Sequence, residues 1–146
     1  MDILTVRHGI IVHQVNVQGK MGRGLAKAIA DKWPNVRQAY IQACAGHRLQ
    51  LGDIQLVHVK EGRKYVPDLI VCNLVGQEGF GTDRRYTNYA AISVGLFKLK
   101  TYIQAVKLPV YFPKGMGCGF GGGDWGLVEP MIVEQFPDAI ICDFYE

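Results

Sequence analysis

The segment that most limits what this chain can fold into is Pro113–Trp125, Pro-Lys-Gly-Met-Gly-Cys-Gly-Phe-Gly-Gly-Gly-Asp-Trp, where six of the nine residues from 115 to 123 are glycine. Glycine loses more backbone freedom on folding than any other residue, so a run this dense needs positive φ angles or the close approach of a ligand. Leu108–Pro113, before it, alternates and branches as a strand does. After it, Leu127, Met131, Ile132 and Phe136 recur at helical spacing, with Asp124 placed to cap the helix. A glycine loop leading from a strand into a helix N-terminus gathers backbone N–H groups and the positive end of a helix dipole at one point, which suits a phosphate.

The same order occurs earlier in the chain. Ile10–Val17 reads as a strand, Gln18–Gly24 is a second glycine-rich turn, and Leu25, Ala28, Ile29 and Trp33 then mark one helix face that Pro34 ends. Ile3–Val6 reads as a short strand ahead of a turn at His8-Gly9. Between the two glycine loops the pattern predicts a helix over Val36–Ala45 and a strand over Leu51–Lys60. A polar turn at 61–64 leads to a buried strand centred on Leu69–Leu74. A polar loop over Gly76–Arg85 then precedes a long helix from Thr87 to about Ala105, and Ala139–Phe144 reads as the last strand. Strands and helices mixed in this way predict an α/β chain, one domain over 1–146, with three α/β/α layers around a mixed central sheet.

Composition narrows the function classes. No run approaches the roughly 20 apolar residues of a membrane span, and no apolar leader opens the chain, so a cytoplasmic protein without a membrane partner is expected. A net charge of +3 without a run of Lys or Arg does not indicate nucleic-acid binding, and it is compatible with a small anionic ligand. Cys44, Cys72, Cys118 and Cys142 stand singly, without zinc-ligand spacing, so they read as reduced thiols, and neither a metal nor a cofactor is implied. Gly117–Gly122 fits G-x-G-x-x-G with Asp143 about 20 residues on, a dinucleotide fingerprint. A doubly wound sheet would here have to precede its fingerprint, which counts against dinucleotide oxidoreduction.

Taken together, the two loops resemble those of a known family. His13-Gln-Val-Asn16-Val-Gln-Gly19-Lys-Met-Gly22-Arg-Gly24-Leu-Ala is similar to the first ligand loop of macrodomains, the ADP-ribose-binding modules, and Gly117-Cys-Gly119-Phe-Gly-Gly-Gly-Asp124-Trp125 is similar to their second, in the form of the ADP-ribose-1″-phosphate phosphatase-like (Appr-1-p processing) branch with its many phage and bacterial members. The resemblance runs through essentially the whole chain. It implies ADP-ribose or its 1″-phosphate as ligand, with Asn16 facing the distal ribose. Gly19, Met21, Gly22, Gly24 and Leu25 would lie in the first loop, and Lys114, Met116, Gly117, Cys118, Gly119 and Phe120 in the second. The chemistry agrees, since a diphosphate needs several N–H donors free of bulky side chains.

Three departures from the family pattern bear on activity. The branch that removes ADP-ribose from protein or DNA carries a lysine after the central strand and an aspartate in the second loop, where this chain has Gln77 and Gly121. An amide cannot form the covalent adduct a lysine can. The resemblance therefore favours phosphate-monoester hydrolysis of ADP-ribose 1″-phosphate without a metal, with His13 and Asp124 as the acid and base. Each also has a bland reading, His13 as a core histidine facing away from Asn16 and Asp124 as a helix cap. Lys114 and Arg85 are the candidate cations for the phosphoryl charge. Finally, the aspartate that meets adenine in the family is absent from Arg7-His8-Gly9-Ile10, which leaves Phe144 or Tyr145 for stacking. A non-catalytic ADP-ribose reader and a hydrolase of ADP-ribosylated protein or DNA remain the alternatives.

Overall fold

A computed structural model describes residues 1–81 and 83–144. Five strands, β1 (Gly9–Asn16), β2 (Ile54–Glu61), β3 (Lys64–Gln77), β4 (Val110–Pro113) and β5 (Ile140–Cys142), form one sheet in the order β2-β3-β1-β4-β5. β3, β1, β4 and β5 run parallel, and β2 pairs antiparallel with β3 through the tight turn at 61–64. The sheet is mixed, as the sequence predicts.

Alternation along β1 divides the core in two. Ile11 and Val15 pack with Ile29, Val36 and Tyr40 of the first two helices, α1 (Gly24–Lys32) and α2 (Pro34–Ala45), and with Trp33 between them. Ile10 and Val12 pack on the other face with Ile92 and Leu96 of α3 (Tyr89–Val106) and Val128 and Ile132 of α4 (Trp125–Gln135). Each such side chain contributes about 1.5–3 kcal/mol on burial. Because both faces are covered, Leu69–Gly76 in β3 is buried without a break, which explains its continuous apolar run.

Several local expectations shift. Ile3–Thr5 is a 3-10 turn rather than a strand: the Asp2 carboxylate accepts from the Leu4 amide at 2.9 Å and holds the backbone in a turn. The long helix starts at Tyr89, capped by Asn88, whose side chain accepts from the Ala91 amide at 3.0 Å. On α4 the inward face is Val128 and Ile132, continued by Phe136 at its C-cap, while Leu127 is 52% exposed.

This topology places a crevice. The chain leaves β1 for the α1/α2 layer and leaves β4, its neighbour, for the α3/α4 layer, so the two connections part above the C-terminal ends of adjacent parallel strands. Open α/β sheets bind ligands at such a point.

Candidate ligand cleft

A cleft of about 1140 Å³ opens there. It is walled by both glycine loops, by the segment around Gln77, Phe80 and Gly81, and by Phe144 beyond β5. Every ligand-loop residue expected from the sequence lines it: Asn16, Gly19, Met21, Gly22, Gly24 and Leu25 on one side, and Lys114, Met116, Gly117, Cys118, Gly119 and Phe120 on the other.

The first loop is held from below. Asn16 ends β1 where its register with β3 shifts, Gly76 being the extra residue on β3, and its side chain reaches Tyr40 of α2. Its Oδ1 accepts from the amides of Gln18 and Lys20 at 2.9 and 3.3 Å, and its Nδ2 donates to the Lys20 carbonyl at 3.0 Å. The Tyr40 hydroxyl lies 2.6 Å from the Asn16 carbonyl and 2.8 Å from Oδ1, sharing its proton between them. One amide proton of Asn16 is left for a ligand. The loop delivers the chain to α1 at Arg23, whose side chain makes no capping bond. The amides of Gly24, Leu25 and Ala26 thus open α1 with no capping acceptor among the described residues.

In the second loop Gly117 has φ +76°, which L side chains rarely adopt, and its amide and those of Gly119, Phe120 and Gly121 have no partner among the described residues. The two loops meet across the cleft mouth, where the Arg23 guanidinium lies 5.3 Å from the centre of the Phe120 ring. Lys20, Lys27, Arg37 and Lys114 add positive charge to the rim, with Asp31, paired to Lys27 at 2.7 Å, as the acidic exception.

The residues expected to be acid and base stand differently. His13 reaches the cleft floor but is 2% exposed, with Nε2 2.5 Å from Asn73 Oδ1. Asn73 Nδ2 donates to Gln55 Oε1, so its Oδ1 faces His13 and the imidazole donates through Nε2. Burial pushes the imidazole pKa down to about 4 against the help of Asn73, which keeps the ring neutral at pH 7. Asp124 is not among the residues lining the cleft; its carboxylate accepts from the Gly126 amide at 2.8 Å and caps α4. The two groups do not converge as an acid–base pair. Arg85 lies over Tyr89, 4.7 Å from the ring centre, also outside the lining. The Cys118 thiol is pushed up to about 11 by burial and by the Asp124 charge, which removes it as a thiolate at neutral pH.

Sequence reasoning missed a polar cluster beneath the second loop. Gln14 Nε2 donates to Gln77 Oε1 and to Thr87 Oγ1, at 2.8 Å each, and the Thr87 hydroxyl donates to the Gly117 carbonyl at 2.6 Å. This cluster explains Gly121, since a Cβ there would lie 2.5 Å from Thr87 Oγ1 and 2.8 Å from the Gly117 carbonyl. Among the described residues, the buried side-chain polar atoms without a partner are His13 Nδ1 and Gln14 Oε1, neighbours on β1 under this cleft. A buried acceptor left unpaired costs about 1–3 kcal/mol, and such atoms collect at functional sites. Alternation at Gln14 was the available signal, a polar residue at a position where β1 faces the core.

Arg7, in the stretch where the family carries its adenine aspartate, precedes β1 and pairs bidentately with Glu61 at the end of the sheet away from the cleft, so this stretch does not line the cleft. Phe144 lines the cleft; Tyr145 lies outside the described residues. Among the described residues no three His, Cys, Asp or Glu side chains gather as a metal site, and no helix is long and apolar enough to cross a membrane.

No family model matches the chain. It is 28% identical over 144 residues to DNA ADP-ribosyl glycohydrolases of Mycobacterium tuberculosis and Mycobacterium bovis, a match covering 94% of this chain and 38% of theirs. The chain thus spans well under half the length of those relatives. Among solved structures, the macrodomain of M. tuberculosis DarG superposes with a TM-score of 0.82 at 27% identity, covering all of this chain and 94% of that one. A Bacteroides thetaiotaomicron protein superposes with a TM-score of 0.85 at 29% identity, covering 99% and 96%.

Proposed function

This chain is a member of the macrodomain family, and on that premise we propose that its cleft binds ADP-ribose by the diphosphate and acts as a hydrolase at the distal ribose, with ADP-ribose 1″-phosphate as substrate. One observation carries the reading: two glycine loops and the uncapped start of α1 bring unpartnered amides to a single basic cleft. A diphosphate matches that set of donors in charge and in its need for close backbone approach.

Phosphoryl transfer asks little covalent chemistry of a protein, so amides and cations that stabilise charge can carry much of it. Of the two cations the sequence offers for that work, Lys114 lines the cleft and Arg85 does not, so Lys114 takes the role in this reading. Water would attack phosphorus, the P–O bond to the distal ribose would break, and its oxygen would leave with a proton to give ADP-ribose and inorganic phosphate. His13, neutral and bonded to Asn73, and Asp124, at its cap, act in this reading through the architecture rather than as proton carriers. A second reading, removal of ADP-ribose from DNA, is favoured by what the mycobacterial relatives do; it would have to proceed without a lysine at position 77.

The test pairs calorimetry with product analysis. ADP-ribose is expected to bind, and ADP-ribose 1″-phosphate to release inorganic phosphate in the presence of a chelator. Binding without phosphate release sinks the phosphatase reading. Release of ADP-ribose from ADP-ribosylated DNA would then select the second, and no turnover on either would leave a binding module.

A further inference from the structure

We propose that Gln14 is a positioning residue that sets the shape of the second glycine loop from beneath. The side chain leaves β1 and passes between the backbones of Gly76 and Gly117, so closely that a Cβ at Gly117 would lie 2.7 Å from Oε1 and one at Gly76 closer still. Both of its amide protons are used, one on Gln77 and one on Thr87, at 2.8 Å each. Thr87 passes the bond on to the Gly117 carbonyl, which also accepts from the Gly123 amide at 2.9 Å. The backbone around Thr87 ties the same parts together: the amides of Tyr86 and Thr87 donate to the Gly121 carbonyl at 2.8 and 3.0 Å, and that of Asn88 to Gly76 at 2.7 Å.

The direction of the relay is fixed by its ends. Gln77 Nε2 donates to the Gly79 carbonyl at 2.8 Å, so Gln77 can present only its oxygen to Gln14. Gln14 must therefore donate, and its Oε1 is left buried and unpaired. An apolar residue would avoid that cost, so the position is filled for its two donors. Their effect is to keep the Gly117 carbonyl turned down toward Thr87. A carbonyl facing the cleft would repel an anion, whereas the unpartnered Gly117 amide attracts one. Gln14 thereby links three walls of the cleft, at β1, at the 76–81 segment and at the second loop.

The binding readout rests on the ADP-ribose reading; the amide readout does not. Gln14→Leu and Thr87→Val are each expected to weaken ADP-ribose binding on the order of tenfold, with the double variant no weaker than either, because both cut one relay. Thr87→Ser, which keeps the hydroxyl, should restore affinity. In the ligand-free protein, hydrogen exchange at the Thr87 and Gly123 amides should speed up in Gln14→Leu, and Gln14→Met serves if that variant does not fold. Unchanged exchange at those amides overturns the proposal, as does additive loss of affinity in the double variant. Faster exchange in a protein whose wild type fails to bind ADP-ribose leaves the positioning role standing and removes the ligand assignment.

Discussion

Helices α1 and α4 both begin where a glycine loop ends, yet α1 starts at Arg23, which makes no capping bond, and α4 at Asp124, which bonds the Gly126 amide. At α4 the carboxylate already occupies the positive end of the dipole, and the helix start lies outside the cleft lining. At α1 the same end is bare, lines the cleft, and carries a cation beside it. A cation near a helix N-terminus costs about 0.3–1 kcal/mol, and a missing cap about 1 kcal/mol. The first unit therefore gives up stability where an anion would restore it, and the second keeps its stability and offers loop amides instead. A strand, a glycine loop and a helix in sequence do not by themselves say which element meets the phosphate.

The largest expected effect concerns whether the two units share an acid–base pair, His13 from the first and Asp124 from the second. Burial holds the His13 pKa near 4, below its ordinary value of 6.5. The folded state then binds the proton less readily than the unfolded chain. Stability from this group is complete above about pH 6.5 and is lost as pH falls toward 4, by up to about 3 kcal/mol. Urea unfolding across that range should show the loss in wild type and a smaller one in His13→Gln, since other acid-titrating groups remain. A break in kcat/KM near neutral pH that disappears in His13→Gln would instead restore the shared pair.

Much of this was legible in the sequence because it rests on local patterns. The two loops, the buried run of β3 and the Asp124 cap each follow from residue type and period. Three features depended on partners far along the chain. His13 looks like a titratable group until Asn73, sixty residues away, is known to accept from it. Gly121 reads as a lost carboxylate, whereas Thr87 and the Gly117 carbonyl leave no room for a side chain. Arg7 reads as the adenine end, but Ile3–Thr5 forms a turn rather than a strand, and Arg7 lies away from the cleft with Glu61. Asn16 likewise reaches Tyr40, on the face that Val15 also packs against, where simple alternation along β1 would turn it away.

Moving one helix's device onto the other sharpens the comparison. Arg23→Asp gives α1 the cap that α4 has. The variant should gain about 1 kcal/mol of stability in thermal or urea unfolding. It should also lose ADP-ribose affinity on the order of tenfold by calorimetry, because a carboxylate then competes for the amides the ligand would use. Affinity that holds or improves would mean that the start of α1 takes no part in binding.

The smallest expected effect is the reciprocal one. Asp124→Ala removes the carboxylate bond to the Gly126 amide and should lower stability by about 1 kcal/mol. The Asp124 amide keeps its own bond to the Tyr89 hydroxyl at 2.9 Å, and Gly123 keeps its bond to Gly117, so the second loop stays anchored at its end. ADP-ribose affinity should therefore remain within about twofold of wild type, a difference under 0.5 kcal/mol. Phosphate release, if the wild type shows it, should survive as well. A large fall in turnover with affinity intact would place Asp124 on the reacting atoms after all. It would also reverse the division drawn between the helices, because the capped start of α4 would then serve chemistry as well as stability.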